Sequence, residues 1–155
     1  MTASSRSAEI SALYQEMILD HYRRPRNKGE LEGATKSVIM KNPLCGDEVT
    51  LHVLMEGDKV SDLRFSGRGC SISQASASMM TQLVKGKSSE EIEELGGKFR
   101  DMVMGTADAT DEDKSLGSLR SLGGVSKFPA RVKCALLAWN ALETALDSAA
   151  AGNSR

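Results

Sequence analysis

Three cysteines, Cys45, Cys70 and Cys134, are the residues of this sequence with the widest chemical range. The surrounding pattern puts each near the end of a predicted element: a turn between two strands, the start of a helix after a hairpin, and the first turns of the last helix. Three is an odd number and too few for a disulfide framework. We therefore expect thiols, metal ligands or nucleophiles.

Glycines and a carboxylate accompany the first two cysteines. Gly46 follows Cys45 and Gly69 precedes Cys70, and glycine lets the backbone approach a bound group closely. Asp47 is near enough to Cys45 to offer a carboxylate at the same point. The helix that follows Cys70 has free N–H groups that favour a thiolate. Three thiolates and one carboxylate would complete a tetrahedral zinc site.

A plainer interpretation stays open from the residues alone. A single buried cysteine is usually a small apolar filler, and this alternative is strongest for Cys134, on a helix. No C-x-x-C pair is present, so the usual spacing of a structural zinc finger is missing. Neither His21 nor His52 is expected to be a ligand. His52 lies on the polar face of a strand, and His21 near the end of a helix, where a cation suits the dipole.

Cations flank the third cysteine. A divalent metal with four anionic ligands would carry net negative charge, and Arg131 and Lys133 are the candidates to balance it. We predict that Arg131 and Lys133 serve the site, with Arg131 beside the metal or on a rim that faces a partner. The alternative is an ordinary solvated charge on a helix.

Hydrophobic periodicity predicts the elements that position these residues. Alternation over 35–41 and 48–56, and again through Leu63 and Phe65, indicates a three-stranded antiparallel sheet with a turn at Gly57-Asp58. One face of such a sheet needs a cover of helices. The fold class predicted is α+β, a small three-stranded antiparallel sheet covered by helices.

Helical spacing predicts four helices: one that ends near Tyr22 before Pro25, one from Ser73 to Gly86, one with a capping box at Ser88–Glu91, and one from Pro129. The last helix should be the main cover of the sheet, through a stripe made of Phe128, Val132, Ala135, Trp139, Leu142 and Leu146. Residues 105–126, rich in small and polar types, are predicted to be a long surface insertion, in which only Leu116, Leu119 and Leu122 suggest a short amphipathic turn. The chain 1–155 is predicted to be one domain.

Charge and hydropathy exclude two classes of function. The chain of 155 residues has 20 Lys+Arg against 21 Asp+Glu, a formal net charge of −1, which argues against nucleic-acid binding. No apolar run approaches the ~20 residues of a membrane span, and the beginning lacks the apolar stretch of a signal peptide. We expect a cytoplasmic protein with no membrane partner.

Four ordered motifs over roughly residues 9–148 resemble the IscU/SufU (NifU-like N-terminal) family of iron–sulfur cluster assembly proteins. The motifs are DHYRRPRNKG (20–29), NPLCGD (42–47), GRGCSISQASASMM (67–80) and KFPARVKCALLAWN (127–140). The resemblance implies a small antiparallel sheet with helices packed on it. It also implies Cys45, Asp47, Cys70 and Cys134 as the metal ligands.

Three departures from the scaffold branch resemble the SufU branch. Lys133 stands where that branch has a histidine before its third cysteine, its Leu-Pro-Pro-Val-Lys chaperone-docking motif is absent, and the 105–126 region lengthens the chain between Cys70 and Cys134. The resemblance then implies a zinc-dependent sulfurtransferase. Such a protein accepts sulfur from a SufS-type cysteine desulfurase and works with downstream iron–sulfur assembly proteins.

Cys45 is the best candidate for the catalytic sulfur acceptor, because its loop is flanked by glycine and Asp47 is a weaker zinc ligand than a thiolate. Two other functions remain open. One is an IscU-type scaffold for a [2Fe–2S] cluster, which three cysteines and an aspartate can hold, although Lys133 cannot supply an imidazole. The other is a structural zinc protein, although closed structural sites rarely use aspartate.

Overall fold

A three-stranded antiparallel sheet forms one layer of the protein. A computed structural model describes residues 15–43, 46–105 and 115–153, with side chains as far as residue 147. The strands are β1 (Lys36–Asn42), β2 (Asp47–Glu56) and β3 (Lys59–Arg68), in the order β1-β2-β3. The predicted α+β class and sheet are confirmed.

The buried face of the sheet follows the predicted alternation. Leu51 pairs with Phe65 and Val53 with Leu63 across β2 and β3, and all four side chains are buried. Side chains alternate between the two faces of a strand, so every second residue enters the core. The other face of these strands is left for polar residues.

Helices cover the buried face. Residues 15–23 form α1, followed by α2 (Ser71–Val84), α3 (Ser89–Met104), a 3-10 helix (Gly117–Lys127) and α4 (Pro129–Asn153). The predicted start of α1 lies outside the described residues. The predicted capping box at the start of α3 is present, and α4 begins at the predicted proline. None of the described helices is long and apolar enough to cross a membrane.

Helix α4 packs on β1 and β2, as the prediction of a main cover requires. Val132, Ala135, Trp139 and Leu142 of the predicted stripe are buried, but Phe128 is 62% exposed. Phe128 precedes the helix with φ −127° and ψ 83°, so it does not continue the helical stripe. Its placement in the core was wrong.

The predicted surface insertion is wrong for its second half. Residues 106–114 lie outside the described part of the chain, but the next residues turn into the core as a 3-10 helix. This helix has three residues per turn, which places every third residue on one face. The buried side chains at that spacing are Leu116, Leu119, Leu122 and Val125.

His21 is not the helix-end cation that its position in the sequence suggested. Its ring is 5% exposed, and Nδ1 lies 2.8 Å from the hydroxyl of Ser78 on α2. That hydroxyl also accepts a hydrogen bond from the backbone N–H of Arg26. Desolvation of the buried ring, followed by the charge of Arg26, lowers the pKa of His21. His21 is therefore a neutral ring at neutral pH, and it joins α1 to α2.

Candidate metal centre

Three of the four predicted ligands lie together at one end of the sheet. The ligand atoms of Asp47, Cys70 and Cys134 all lie within 4.8 Å of one another. Asp47 begins β2, Cys70 directly precedes α2, and Cys134 is in the second turn of α4. The fourth, Cys45, lies outside the described residues, two positions before Asp47 in the sequence.

The carboxylate of Asp47 is 1% exposed. Its Oδ1 accepts a 2.9 Å hydrogen bond from the backbone N–H of Cys70, and its Oδ2 is 3.9 Å from Cys70 Sγ. A Cβ on Gly69 would overlap this carboxylate and the hydroxyl of Ser73, which explains why glycine precedes the cysteine. Burial of a carboxylate is costly unless its negative charge is balanced. One N–H donor does not balance the charge of Asp47, and a bound cation would.

Cys70 is the N-cap residue of α2, and no side chain caps this helix. Its half-buried sulfur therefore lies at the positive end of the helix dipole, a position that attracts anionic groups. Ser73, one turn into the helix, is fully buried. Its hydroxyl donates to the backbone carbonyl of Cys70 at 3.1 Å and lies 3.9 Å from the sulfur.

Cys134 is fully buried on α4. Its sulfur lies 3.9 Å from Nδ2 of Asn42 and 3.8 Å from the carbonyl oxygen of Ala130. Asn42 is itself buried at the last position of β1. Sequence reasoning missed both Asn42 and Ser73. The sequence offered a signal for each residue. Asn42 is a polar residue at a strand end, three positions before Cys45, and Ser73 is a polar residue three positions after Cys70.

Arg131 is exposed on α4, one turn before Cys134, and positions three apart share a helix face. The charge of the Cys70 thiolate, with a smaller contribution from Cys134, raises the pKa of Arg131. The structure thus places Arg131 close enough to both sulfurs for their charge to act on it, and its role in the site stays a prediction. Lys133 is also exposed, and the described contacts of the site do not include it.

A groove of about 680 Å³ adjoins the cluster. Ser71, directly after Cys70, and Arg131 line its end near the sulfurs. Its apolar and cationic lining residues are Ile18, Ile72, Val125, Phe128 and Lys127. An exposed aromatic ring and two cations beside a cluster of thiols suit a surface that another protein can cover.

The donor set suits zinc. Cys70 and Cys134 are both thiols, not disulfide-bonded. Two sulfurs and a carboxylate from three distant segments converge, with their ligand atoms within 4.8 Å of one another. Cysteine with a carboxylate is within the ligand range of zinc, and thiolate ligands also suit iron–sulfur clusters.

The sheet and its helical cover are those of a known domain family. The family model described as the NifU-like N terminal domain matches residues 13–150, and the chain belongs to this family. It is 48% identical to the zinc-dependent sulfurtransferase SufU of Bacillus subtilis, over 95% of this chain and 98% of the relative. It is 44% identical to the iron–sulfur cluster assembly scaffold protein IscU of Streptococcus pyogenes, over 92% and 88% of the two chains.

A solved structure supports the same assignment of fold. The crystal structure of an iron–sulfur cluster assembly scaffold protein for the SUF system from Fervidobacterium islandicum matches with a TM-score of 0.76 at 39% identity. The match covers 84% of this chain and 94% of that one. The predicted membership of the IscU/SufU family is confirmed.

Proposed function

We propose that this protein is a zinc-dependent sulfurtransferase, which accepts sulfur from a SufS-type cysteine desulfurase for iron–sulfur cluster assembly. The observation that carries the proposal is the convergence of Asp47, Cys70 and Cys134, whose ligand atoms lie within 4.8 Å of one another. The name of the Bacillus subtilis relative, at 48% identity, favours the same activity. We further propose a cytoplasmic location, downstream iron–sulfur assembly proteins as partners, and 105–126 as an insertion of this branch.

The proposed ligands are Cys45, Asp47, Cys70 and Cys134. When bound, zinc would hold the cysteines as thiolates at neutral pH, because a coordinating thiol is deprotonated. Asp47 is already fixed for this task by the N–H of Cys70. The N-terminus of α2 behind Cys70 places a positive dipole end beside this ligand.

Cys45 is the proposed nucleophile. Its thiolate attacks the terminal sulfur of the cysteine persulfide on the desulfurase, and a new S–S bond forms as the persulfide S–S bond breaks. The desulfurase cysteine leaves as a thiolate, and the proton on the transferred sulfur stays with it. The products are a persulfide on Cys45 and a thiolate on the desulfurase, with no net oxidation.

The other two cysteines are poorly placed for this attack. Cys134 is fully buried on α4, so a partner's persulfide cannot reach its sulfur unless the surrounding side chains move. Cys70 is joined through its backbone to Asp47 and begins a helix. Both therefore suit the role of anchors that keep the metal in place while Cys45 reacts.

The groove beside the cluster is the proposed face for the desulfurase. Arg131 lies where it could hold a carboxylate of the partner in a bidentate pair, or steady the anionic centre itself. Exposed Phe128 offers the adjoining apolar contact. A partner seated here would cover the sulfurs and exclude water from the transferred persulfide.

Mass spectrometry tests the proposed transfer. Protein incubated with a SufS-type desulfurase and cysteine should gain one sulfur atom, located on the peptide that contains Cys45. A Cys45→Ser variant should lose this label and the stimulation of the desulfurase. Label confined to Cys134 would contradict the assignment.

Metal content tests the ligand set separately. Cys70→Ala should lose zinc, because it removes one of the two anchoring sulfurs. Full zinc retention in this variant would rule out the proposed ligands. Ser37→Ala serves as the control. Ser37 lies near the end of β1 that is opposite Asn42, so this variant should retain zinc.

A scaffold for a [2Fe–2S] cluster is the second candidate. The Streptococcus pyogenes relative, 44% identical, is named a scaffold, and the same ligands can hold iron. Lys133, however, offers no imidazole to such a cluster. Protein purified without oxygen separates the two functions: colourless protein with one zinc favours sulfur transfer, and brown protein with iron favours the scaffold.

A further inference from the structure

The side chain of Asn42 faces the buried sulfur of Cys134, with Nδ2 3.9 Å from Sγ. A thiolate has only lone pairs to offer, so the amide presents its N–H side to the sulfur. Asn42 is 6% exposed and Cys134 is fully buried. Water therefore competes little for this contact.

The sheet fixes where the amide lies. Asn42 is the last residue of β1 and pairs directly with Asp47, the first residue of β2. One cross-strand pair thus delivers both a ligand and a hydrogen-bond donor to the same cluster. Because α4 packs on β1, the helix that bears Cys134 and the strand that bears Asn42 hold their separation.

The two anchoring sulfurs differ in their surroundings. The donor side chain beside Cys70 is the exposed guanidinium of Arg131, since the hydroxyl of Ser73 donates its one hydrogen to the carbonyl oxygen of Cys70 at 3.1 Å. The amide of Asn42 has two, and the structure directs it at Cys134. A donor aimed at a thiolate stabilises its charge and draws electron density from it, which weakens it as a nucleophile.

We infer that Asn42 is a positioning residue that makes Cys134 an unreactive anchor: its amide N–H to sulfur hydrogen bond keeps Cys134 on the metal and confines sulfur transfer to Cys45. The inference rests on the proposed metal centre. It adds a residue from β1 to a site whose ligands come from β2, α4 and the residue before α2.

Two variants and one control test the inference. Asn42→Leu keeps the approximate volume and removes the donor, whereas Asn42→Asp keeps the shape and puts a negative charge against the sulfur. Asn140→Asp is the matched control, because Asn140 lies on the same helix as Cys134 but beside Arg100, to which its Oδ1 is hydrogen-bonded. Melting curves of all three check that the fold is retained.

Cobalt in place of zinc gives the readout that a structural role would not change. Loss of the N–H donor raises the energy of the sulfur electrons, so the sulfur-to-cobalt absorption band of Asn42→Leu should move to longer wavelength. Zinc affinity should fall about 10-fold or more in both variants, the loss typical of a group that supports a ligand. Iodoacetamide should alkylate Cys134 faster relative to Cys70 in zinc-loaded Asn42→Asp. Asn140→Asp should match the parent protein in all three.

An unshifted cobalt band with unchanged zinc affinity in folded Asn42→Leu and Asn42→Asp would overturn the inference alone. If Asn42→Leu fails to fold, Asn42→Asp, which keeps the shape of the side chain, decides the question by the same measurements. Parent protein that binds neither cobalt nor zinc would overturn the metal centre, and this inference with it.

Discussion

The backbone N–H of Cys70 donates a 2.9 Å hydrogen bond to the carboxylate of Asp47. This bond joins the first residue of β2 to the N-cap of α2, so two proposed ligands from separate segments already lie in place. Cys134 completes the cluster from α4. The geometry of the centre is thus built largely by the fold, and a metal would in turn brace the fold.

Chelation should therefore lower thermal stability. A ligand that binds only the folded state at 100 times its Kd contributes about 2.7 kcal/mol. For a domain of this size, that corresponds to a fall in Tm of roughly 5–10 °C. The measurement is calorimetry of zinc-loaded and chelated protein, with chelator added to a Cys134→Ala variant as the control. Identical melting curves for loaded and chelated parent protein would contradict the prediction.

Gly69→Ala should weaken metal binding although it changes no ligand. A Cβ at this position would overlap the carboxylate of Asp47 and the hydroxyl of Ser73, so the carboxylate must move away from the sulfurs. We expect zinc affinity to fall about 10-fold or more, measured by competition with a coloured chelator.

Gly97→Ala is the matched control for this glycine. It lies in the interior of α3, where a Cβ would meet nothing within 4 Å. Alanine there should leave zinc affinity unchanged and stabilise the fold by roughly 0.5–1 kcal/mol. Equal zinc affinities of Gly69→Ala and Gly97→Ala would refute the role of the close approach between position 69 and the carboxylate of Asp47.

Acid should destabilise the protein through His21. Burial lowers the pKa of His21 in the folded state below its ordinary value of 6.5, so the unfolded chain takes up the proton first as the pH falls. Stability is therefore fully present above about pH 6.5 and is lost from there down to the folded pKa, by at most about 1.4 kcal/mol per pH unit. Urea unfolding between pH 7.5 and 5 measures this slope.

A His21→Gln variant isolates the contribution of this residue. It removes the titration, so its stability should vary less with pH than that of the parent across the same window. His52→Gln is the control, because it removes the partly exposed histidine of the sheet and retains His21. The pKa of Asp20 is lowered by its hydrogen bond to Arg26, so the stability that it contributes is lost only below about pH 5, outside the window. An unchanged slope in His21→Gln would disprove the assignment.

Regular periodicity made the sheet and α4 predictable from the sequence. Leu51 and Val53 in β2, like Leu63 and Phe65 in β3, alternate with other residues, and this alternation indicates which face of the sheet is buried. Residue types and spacing suggested the metal site, and the ordered family motifs assigned its four ligands. These signals are local in the sequence, and they can be interpreted without knowledge of the tertiary contacts.

Several of the failures depend on contacts between distant segments. The ring of His21 is buried against α2, where it contacts the hydroxyl of Ser78, 57 residues away in the sequence. No local sequence pattern predicts this contact. Residues 116–125 resemble a surface loop in composition, yet leucines three apart face the core once the chain turns as a 3-10 helix. The contact of Asn42 with Cys134 forms only in the folded protein, where α4 packs Cys134 against the end of β1.

Arg131→Ala should weaken sulfur transfer and leave the fold and the zinc content intact. Arg131 is exposed, lies beside the sulfurs of Cys70 and Cys134, and lines the groove proposed for the desulfurase. Loss of one charge-assisted hydrogen bond to the partner would reduce stimulation of the desulfurase about ten-fold or more at low protein concentration. Arg131→Lys should restore only part of it, because an ammonium cannot form the bidentate pair.

Lys133→Ala is the matched control, since Lys133 is an equally exposed cation two residues along α4 but outside the described contacts of the site. Desulfurase activity measured against protein concentration, with circular dichroism and zinc content as checks, separates the two positions. If Arg131→Ala stimulates the desulfurase as the parent protein does, Arg131 is an ordinary surface charge. If Arg131→Ala and Lys133→Ala lose the same activity, the loss reflects net charge, not the guanidinium beside Cys70.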